Sequence, residues 1–320
     1  MHISRTTPRP AFALIAIVLL LGTLPACALR SRSTATDGAT APQMSELWSE
    51  AEASRDLFGG PGGAGDAPDP QAEFRFVAKD TTGKSPGYDV MDPQGRLWSV
   101  KLGPEAQSEV VVSRLLWAAG YFQPATYYLS SWKLVGSPDP QAQPAGRFRL
   151  ESDGEESVGQ WAWGENPFVG TTPLRGLFVL MVMVNNWDLK TQQNKVYELA
   201  GAGPVPLRRY AVRDLGASLG NTRWFFPGSK SNVEDFERER FIHSVNDGRV
   251  RFHYHGAWRE PHLKRGVTPA DVRWISERLA RLSPVQWTDA FRAAGYTPAD
   301  TQRFVARLRQ KVDEGLTVGG

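Results

Sequence analysis

Residues 186–194 have the sequence Asn-Trp-Asp-Leu-Lys-Thr-Gln-Gln-Asn, and residues 213–216 have the sequence Arg-Asp-Leu-Gly. The first stretch follows an apolar segment that predicts a helix, and the second follows a predicted strand. Each stretch contains one aspartate, Asp188 or Asp214. A lysine and a glutamate lie nearer the N-terminus. The order of these four features along the chain is more informative than any one of them alone.

The lysine is Lys101, at the end of a predicted strand. Alternation along that strand places Ser99 and Lys101 on the face opposite to Trp98, Val100 and Leu102. The Asp-Pro-Gln-Gly sequence at 92–95 is typical of a type I turn, so the strand should return antiparallel to the preceding one. The predicted strands here are 74–78, 88–91 and 96–102.

The glutamate is Glu109, on a predicted helix. Gly-Pro-Glu at 103–105 is a favourable helix start, and the apolar spacing continues the helix to Gly120. Glu109 precedes the buried-face residues Val112 and Leu116 by three and seven positions, so it borders the buried face. A carboxylate at such a place needs a cation, and we expect one nearby.

A proline-rich segment at 138–144 is interpreted as the boundary between a small mixed part and a larger, mostly helical part. In the second part, the pattern predicts a hairpin from 196–199 and 207–212 and a strand at 250–254. Hydrophobic spacing predicts helices at 173–184, 269–282, 286–294 and 298–314.

With these motifs in this order, the chain resembles the protein-kinase-like superfamily, most closely its atypical HipA-type and phosphatidylinositol-kinase-type branch, over roughly 74–220. The resemblance implies an α+β, two-lobed, protein-kinase-like fold. The N-lobe, with a small antiparallel sheet, is expected at 73–135, and the mostly helical C-lobe at 136–320.

The resemblance also implies a site for ATP or another nucleotide. Phosphoryl transfer needs a cation that holds the phosphates and a carboxylate that holds the cation. Ser99 is small enough to admit an adenine ring, and the Thr-Thr-Gly-Lys-Ser-Pro-Gly loop at 81–87 would cover the phosphates. The nucleotide-binding residues expected on this basis are Lys101, Glu109, Ser99, Gly83 and Gly87.

For catalysis, the resemblance implies that Asp188 orients the attacking hydroxyl and that Lys190 contacts the migrating phosphoryl group. Asn194 and Asp214 would bind Mg²⁺ or Mn²⁺, which prefer oxygen ligands. The family places its asparagine five residues after the aspartate, where this chain has Gln193. Either the loop bulges to bring Asn194 into position, or Gln193 serves instead.

The first 26 residues indicate export. A basic start without acids precedes an apolar run at 11–24, which is typical of a signal peptide. Leu-Pro-Ala-Cys at 24–27 resembles the lipobox of bacterial lipoproteins, which implies acylation of Cys27 by fatty acids such as palmitate. Ala28 resembles an outer-membrane sorting signal. We therefore expect a lipid-anchored protein of the bacterial cell envelope, in the outer membrane and facing the periplasm, on a disordered tether at 27–72.

Composition limits the partners. The chain has 320 residues, with 37 Lys and Arg against 34 Asp and Glu. This small excess of positive charge gives no reason to expect nucleic acid binding. Cys27 is the single cysteine, which excludes an intramolecular disulfide. The expected partners are the membrane, a nucleotide and an unknown acceptor or envelope ligand.

Three other interpretations stay open. An exported protein meets little ATP, so the fold could be a catalytically inactive, kinase-shaped, envelope-binding lipoprotein that uses Trp161, Trp163 and Trp258 as an aromatic platform. Gly-Ala-Ser-Leu-Gly at 216–220 matches the nucleophile elbow of α/β-hydrolases, although no helical pattern follows it. The last interpretation is a zinc site formed by His253, His255 and His262.

Overall fold

The computed structural model of the protein is an α+β structure with a sheet in its N-terminal part and helices in its C-terminal part, consistent with a protein-kinase-like fold. The described residues lie within one compact unit, Ala41–Gly320. They are residues 42–80, 85–137, 142–151, 155–200, 207–222, 228–257, 260 and 262–319.

The N-terminal part consists of one seven-stranded sheet and one helix. The strands that the sequence predicts are present, and the predicted turn forms with Gly95 N donating to the Asp92 carbonyl at 3.0 Å. The elements are β1 (Glu73–Asp80), β2 (Gly87–Met91), β3 (Leu97–Leu102), α1 (Glu105–Ala118), β4 (Thr126–Leu129), β5 (Trp132–Val135), β6 (Ala142–Gln143) and β7 (Gly146–Glu151).

The two faces of this sheet differ in chemistry, as the alternation along β3 predicts. Trp98, Val100 and Phe148 are at most 1% exposed and form the core of one face with Phe74. Lys101 is on the other face, where it contacts the C-terminal part through Asp214. The polar face of the sheet therefore faces the C-terminal part.

The boundary predicted at 135/136 is wrong. The sheet order is β4-β7-β3-β2-β1-β5-β6, so β7 is an internal strand of the N-terminal sheet, between β4 and β3. The proline-rich segment is a connection within this part, because β5 crosses the sheet to pair in parallel with β1 before the chain returns as β7. The N-terminal part therefore extends to Glu151.

The C-terminal part has a three-stranded and a two-stranded sheet packed against helices. The helices predicted from the sequence begin and end within a few residues of those observed. Thr268, Ser283 and Thr297 cap α4, α5 and α6, each directly before a proline. The elements are β8 (Glu155–Gln160), α2 (Thr172–Met183), a 3-10 turn (Thr191–Gln193), β9 (Asn194–Leu199), β10 (Leu207–Val212), α3 (Val233–Arg238), β11 (Ile242–Asn246), β12 (Arg249–Phe252), α4 (Pro269–Ala280), α5 (Pro284–Arg292) and α6 (Pro298–Thr317).

Residues 42–72, expected to belong to a disordered tether, are packed against the domain. Leu47 and Leu57 are each 1% exposed within the main core. The segment begins with a 3-10 turn at Met44–Glu46. The segment is rich in glycine and polar residues, but its few large apolar side chains are enough to anchor it.

This segment also completes the C-terminal end of α1. Ser49 N donates to the Gly120 carbonyl at 3.1 Å, and Trp48 Nε1 donates to the Ala119 carbonyl at 2.8 Å. Arg55 Nη1 donates to the Trp117 carbonyl. Carbonyls at the end of a helix lack partners within the helix, so these donors fix the end of α1.

We expect Leu57→Ala to lower the free energy of unfolding by about 2–5 kcal/mol, because it removes a fully buried side chain from a packed core. Phe58→Ala, at a neighbouring side chain that is 49% exposed, is the control and should cost about 1 kcal/mol or less. Urea unfolding measures both. Equal effects of the two changes would contradict the packing of this segment.

Candidate functional site

Lys101, Glu109 and Asp214 meet in the space between the two parts of the molecule. Lys101 Nζ lies 3.0 Å from Glu109 Oε2 and 2.9 Å from Asp214 Oδ1. Strand β3 carries the lysine, α1 carries the glutamate, and the aspartate follows β10. The ion pair expected from the sequence is therefore formed, and its lysine also donates to Asp214.

Glu109 is 1% exposed and lies among cations. Arg147 Nε is 2.9 Å from Glu109 Oε1, and Arg149 Nη2 donates to the same oxygen. Burial raises the pKa of Glu109, but Arg147, Lys101 and Arg149 outweigh burial and hold the pKa at about 2. Burial lowers the pKa of Lys101, but Glu109 and Asp214 outweigh it, so Lys101 stays charged.

The two arginines were not predicted as site residues. The sequence Gly-Arg-Phe-Arg-Leu-Glu at 146–151 alternates charged and apolar residues, which is typical of a strand with one polar face. That alternation was the available signal, and the proline-rich segment before it led to the wrong domain assignment.

We expect Glu109→Gln to lower the free energy of unfolding by about 3–5 kcal/mol near pH 7, because it leaves buried cations without their carboxylate. The folded pKa of Glu109, about 2, is below the usual 4.5, so its contribution is present above pH 4.5 and is lost as the pH falls toward 2. The difference between wild type and variant, measured by urea unfolding at pH 7 and pH 3, should therefore shrink in acid. An equal difference at both pH values would contradict this assignment.

Glu105 and Lys230 extend the network, and neither was predicted. Glu105 Oε2 lies 3.2 Å from Lys101 Nζ, and Lys230 Nζ donates to Glu105 Oε1. Lys230 Nζ also lies 5.4 Å from the centre of the Trp187 ring. A Cβ on Gly216 would come within 2.5 Å of the Glu105 side chain, so the glycine after Asp214 allows the first turn of α1 to pack there.

Asp188, Lys190, Gln193 and Asp214 form the other half of the site. Lys190 Nζ donates to Asp188 Oδ2 at 2.5 Å. Gln193 Nε2 donates to Asp188 Oδ2 at 3.2 Å and to Asp214 Oδ2 at 3.3 Å. One amide group therefore joins the two carboxylates that the sequence singled out.

Asn194, expected as a metal ligand, has a different environment. It is the first residue of β9, is fully buried, and its Nδ2 donates to the Trp161 carbonyl at 3.0 Å. The Asn194 side chain is thus directed to the Trp161 carbonyl, whereas Gln193, the last residue of the preceding 3-10 turn, contacts both aspartates. Of the two alternatives left by the sequence, the geometry favours Gln193.

Removing these two amides should have different effects, one on nucleotide affinity and the other on stability. We expect Gln193→Ala to weaken metal-dependent nucleotide binding about tenfold, because it deletes the group that joins the carboxylates. Asn194→Ala should instead cost about 1–3 kcal/mol of stability, because it leaves a buried carbonyl without its donor. Calorimetric titration and urea unfolding of both variants separate these effects, and the reverse pattern would restore Asn194 as the ligand.

A lysine of α6 binds the residues just before the loop that carries Asp188. Lys311 Nζ, fully buried, donates to the Met183 carbonyl at 2.8 Å and to Asn185 Oδ1 at 2.9 Å. Burial lowers the pKa of Lys311 well below its usual value. Asn186 Oδ1 accepts from Asp188 N at 3.1 Å, which fixes the turn that presents the aspartate. Lys311 was not predicted, because it is distant from this loop in the sequence.

The remaining predicted residues have different positions. Ser99 is half-buried on the same face of β3 as Lys101. Gly87 pairs with Lys101 across the sheet, and a Cβ there would lie 2.8 Å from the Val100 carbonyl oxygen, so close strand approach requires the glycine. Gly83 and Cys27 lie outside the described residues.

The donor set around Asp214 fits a hard divalent cation. Asp214 offers carboxylate oxygen, which Mg²⁺ and Mn²⁺ prefer, and Mg²⁺ is usually held by one or two carboxylates plus waters and substrate phosphates. Gln193 Nε2 faces Asp214 and its Oε1 accepts from Lys190 N at 3.3 Å, so the amide would turn over to offer its oxygen to a cation. Asp214 is accessible for such a role, since its side chain is 37% exposed. Asp214 and Gln193 are therefore the residues that would hold the cation, and Asp188, paired with Lys190, is left for the acceptor.

The other interpretations receive no support from the geometry. Ser218, in the Gly-Ala-Ser-Leu-Gly motif, is fully buried, and the described residues that follow it begin with a bend at 219–220 and not with a helix, so a nucleophile elbow is wrong. Trp161 and Trp163 are 4% and 1% exposed and pack against each other, so they are core residues and not a surface platform. Trp258 lies outside the described residues.

The histidines expected as a zinc alternative are not gathered in one place. His253 Nε2 lies 3.3 Å from Nδ1 of His243 on the neighbouring strand, and His262 pairs with Glu260 at 3.6 Å. In the part of the chain that the structure describes, no group of three or more His, Cys, Asp or Glu side chains could hold a metal ion.

The sequence matches no protein-family model and no curated protein. Among solved structures, the fold is similar to that of the Helicobacter pylori proinflammatory kinase CtkA, with a TM-score of 0.42 and 12% sequence identity. The alignment covers 77% of this chain and 94% of that chain. A similarity at this identity and TM-score carries no conclusion about activity, so the site is interpreted from its own geometry.

Proposed function

We propose that the protein is an atypical kinase-like phosphotransferase, related to the HipA-type and phosphatidylinositol-kinase-type branch. It binds ATP or another nucleotide together with Mg²⁺ or Mn²⁺ and transfers a phosphoryl group to an unidentified acceptor. The observation that supports this most strongly is the contact of Lys101 with both Glu109 and Asp214, next to Asp188. A phosphate-binding cation, its carboxylate, a metal-binding acid and a candidate base then lie in one cleft.

Nucleotide binding would change the partners of these groups. Lys101, now paired with Asp214, would turn to the phosphates, while Glu109 keeps hold of it. The divalent cation, held by Asp214 and Gln193, would neutralise charge on the phosphate oxygens. Lys101 is paired with Asp214 and Lys190 with Asp188, so the phosphates and the cation would replace existing ion pairs.

In the transfer, an acceptor hydroxyl oxygen forms a bond to the terminal phosphorus as the bond to the bridging oxygen breaks and the nucleoside diphosphate leaves. Asp188 orients the hydroxyl and accepts its proton. Lys190, 2.5 Å from Asp188 Oδ2, is placed to stabilise charge on the migrating group.

The experiment is incubation of the purified protein with nucleotide labelled on its terminal phosphate and with Mg²⁺ or Mn²⁺. Label on the protein or release of nucleoside diphosphate supports transfer, and both should be lost in Asp188→Ala. Nucleotide binding without either product would leave a catalytically inactive, kinase-shaped, envelope-binding lipoprotein as the better account. That alternative is favoured by Asn186-Trp187, which replace the His-Arg pair that precedes the aspartate in conventional kinases.

The proposal includes anchoring to the bacterial envelope through an acylated Cys27, with the domain facing the periplasm from the outer membrane. Within the described ranges, no helix is long and apolar enough to cross a membrane. Cys27→Ser should move the protein from the membrane fraction to the soluble fraction and abolish labelling by a palmitate analogue. Unchanged membrane association without acyl label would contradict the anchor.

A further inference from the structure

The wall of the cleft beside Lys101 is built from three neighbouring strands in known register. On the face that carries Lys101, Asp89 of β2 lies opposite Ser99 of β3, and Ser99 lies opposite Arg149 of β7. The next row on this face, two residues nearer the start of β3 and at the end of β7, pairs Leu97 with Glu151. Ser99, where a nucleotide base is expected, therefore has a carboxylate on one side and a guanidinium on the other.

Two polar groups on this wall have unused hydrogen-bonding capacity. Asp89 is half-buried, and its carboxylate accepts no hydrogen bond from any residue in the described ranges. Arg213 Nη2 donates to Glu151, but Arg213 Nε is buried and has no partner among the described residues. An acceptor and a donor without partners therefore lie in the same region, since Arg213 donates to Glu151, which lies on the same face of the sheet as Asp89 and in the neighbouring row.

The charges around Asp89 confirm that this region is polar. Burial raises the pKa of Asp89, as do Asp80 and Glu151, while Arg213 and Arg147 lower it. A base sandwiched only between aliphatic side chains does not need such groups, and leaving them unpaired beneath a bound ring would cost free energy.

The edges of the two purines differ in what they offer to this wall. Guanine presents the N1–H and N2–H groups side by side, which match the two oxygens of a carboxylate, and its O6 and N7 accept hydrogen bonds from arginine. Adenine presents one amino donor next to the N1 lone pair, and a carboxylate repels that lone pair. Asp89 with Arg213 is complementary to guanine and not to adenine.

We infer that Asp89 is the residue that recognises the nucleotide base, and that it selects guanine nucleotides over adenine nucleotides, with Arg213 donating to the acceptor edge of the base. This inference rests on the proposed function, because it concerns the nucleotide of the same cleft. A bidentate contact of this kind contributes about 1–3 kcal/mol of discrimination, which corresponds to a preference of about tenfold to a hundredfold.

The test is calorimetric titration of the purified protein with MgGTP, MgATP and magnesium tripolyphosphate. We expect MgGTP to bind about tenfold to a hundredfold more tightly than MgATP, and more tightly than tripolyphosphate. Asp89→Asn should reverse the preference, because an amide bonds adenine through its amino group and a ring nitrogen. Glu73→Gln, at an exposed carboxylate on β1, is the control and should leave the ratio of the affinities unchanged.

The outcomes separate this inference from the proposed function. If all three ligands bind equally, or if Asp89→Asn leaves the ratio of MgGTP to MgATP affinity unchanged, the base assignment is overturned while phosphate binding in the cleft stands. If none of the three ligands binds at millimolar concentration, the proposed function fails, and the base assignment fails with it.

Discussion

Asp214→Ala should abolish metal-dependent nucleotide binding, with the affinity for the magnesium nucleotide falling at least about a hundredfold. The change removes a charged ligand from the cation that bridges the phosphates, and charged hydrogen-bonding partners in such sites are worth several kcal/mol. Lys101 keeps Glu105 and Glu109 as partners, so the fold should be retained. Calorimetric titration with and without Mg²⁺ measures the effect.

The control is Asp313→Ala, which removes an exposed carboxylate on α6. It should leave the affinity and its metal dependence unchanged. If the Asp214 variant binds the magnesium nucleotide as wild type does, the cation is not held after β10, and the assignment of this cleft is wrong.

Asp188→Ala should lower the rate of phosphoryl transfer by about a hundredfold to ten-thousandfold, the usual contribution of a positioned proton acceptor. Nucleotide affinity should stay within about threefold of wild type, because orientation of the acceptor matters in the transition state and much less in the bound ground state. A single-turnover assay with labelled nucleotide measures transfer, and titration of the same preparation measures binding.

Gln192→Ala is the matched control for this loop, because Gln192 is exposed in the same 3-10 turn that carries Gln193. It should change neither quantity. A loss of binding in Asp188→Ala that equals its loss of transfer would show that the aspartate acts mainly as a metal ligand.

Local patterns were enough to predict the elements that meet in the cleft. Alternation along 96–102 placed Lys101 opposite the apolar face, and helical spacing placed Glu109 at the edge of the buried face. The turn at 92–95 and the capped helices near the C-terminus depend on neighbouring residues, so they too were accessible from the sequence.

The site residues that come from distant segments could not be predicted from the sequence. Arg147 and Arg149 reach Glu109 only because β7 inserts between β3 and β4, a pairing that spans about 50 residues of chain and that no local pattern records. Lys230 and Lys311 reach the site from the C-terminal part through contacts of their side chains with distant segments. Long-range register decides such contacts, and one sequence without its fold does not specify register.

The segment at 42–72 was misassigned for a different reason. Its glycine and proline content indicates a tether, but Leu47, Trp48 and Leu57 bury enough apolar surface to hold it on the domain. It then fixes the end of α1 and with it the helix that carries Glu109. A soluble form used in experiments should therefore retain these residues.

The central claim is that the contact between Lys101 and Asp214 breaks when a nucleotide binds. Lys101 then contacts the phosphates, and Asp214 binds the cation. The most direct measurement is a crystal structure of the protein with Mn²⁺ and a non-hydrolysable nucleotide, in which anomalous scattering locates the metal. The account predicts Mn²⁺ on Asp214 with the phosphates beside it, and Lys101 Nζ moved from the carboxylate to a phosphate oxygen while Glu109 still holds it. An intact contact between Lys101 and Asp214, with the nucleotide bound elsewhere, would contradict it.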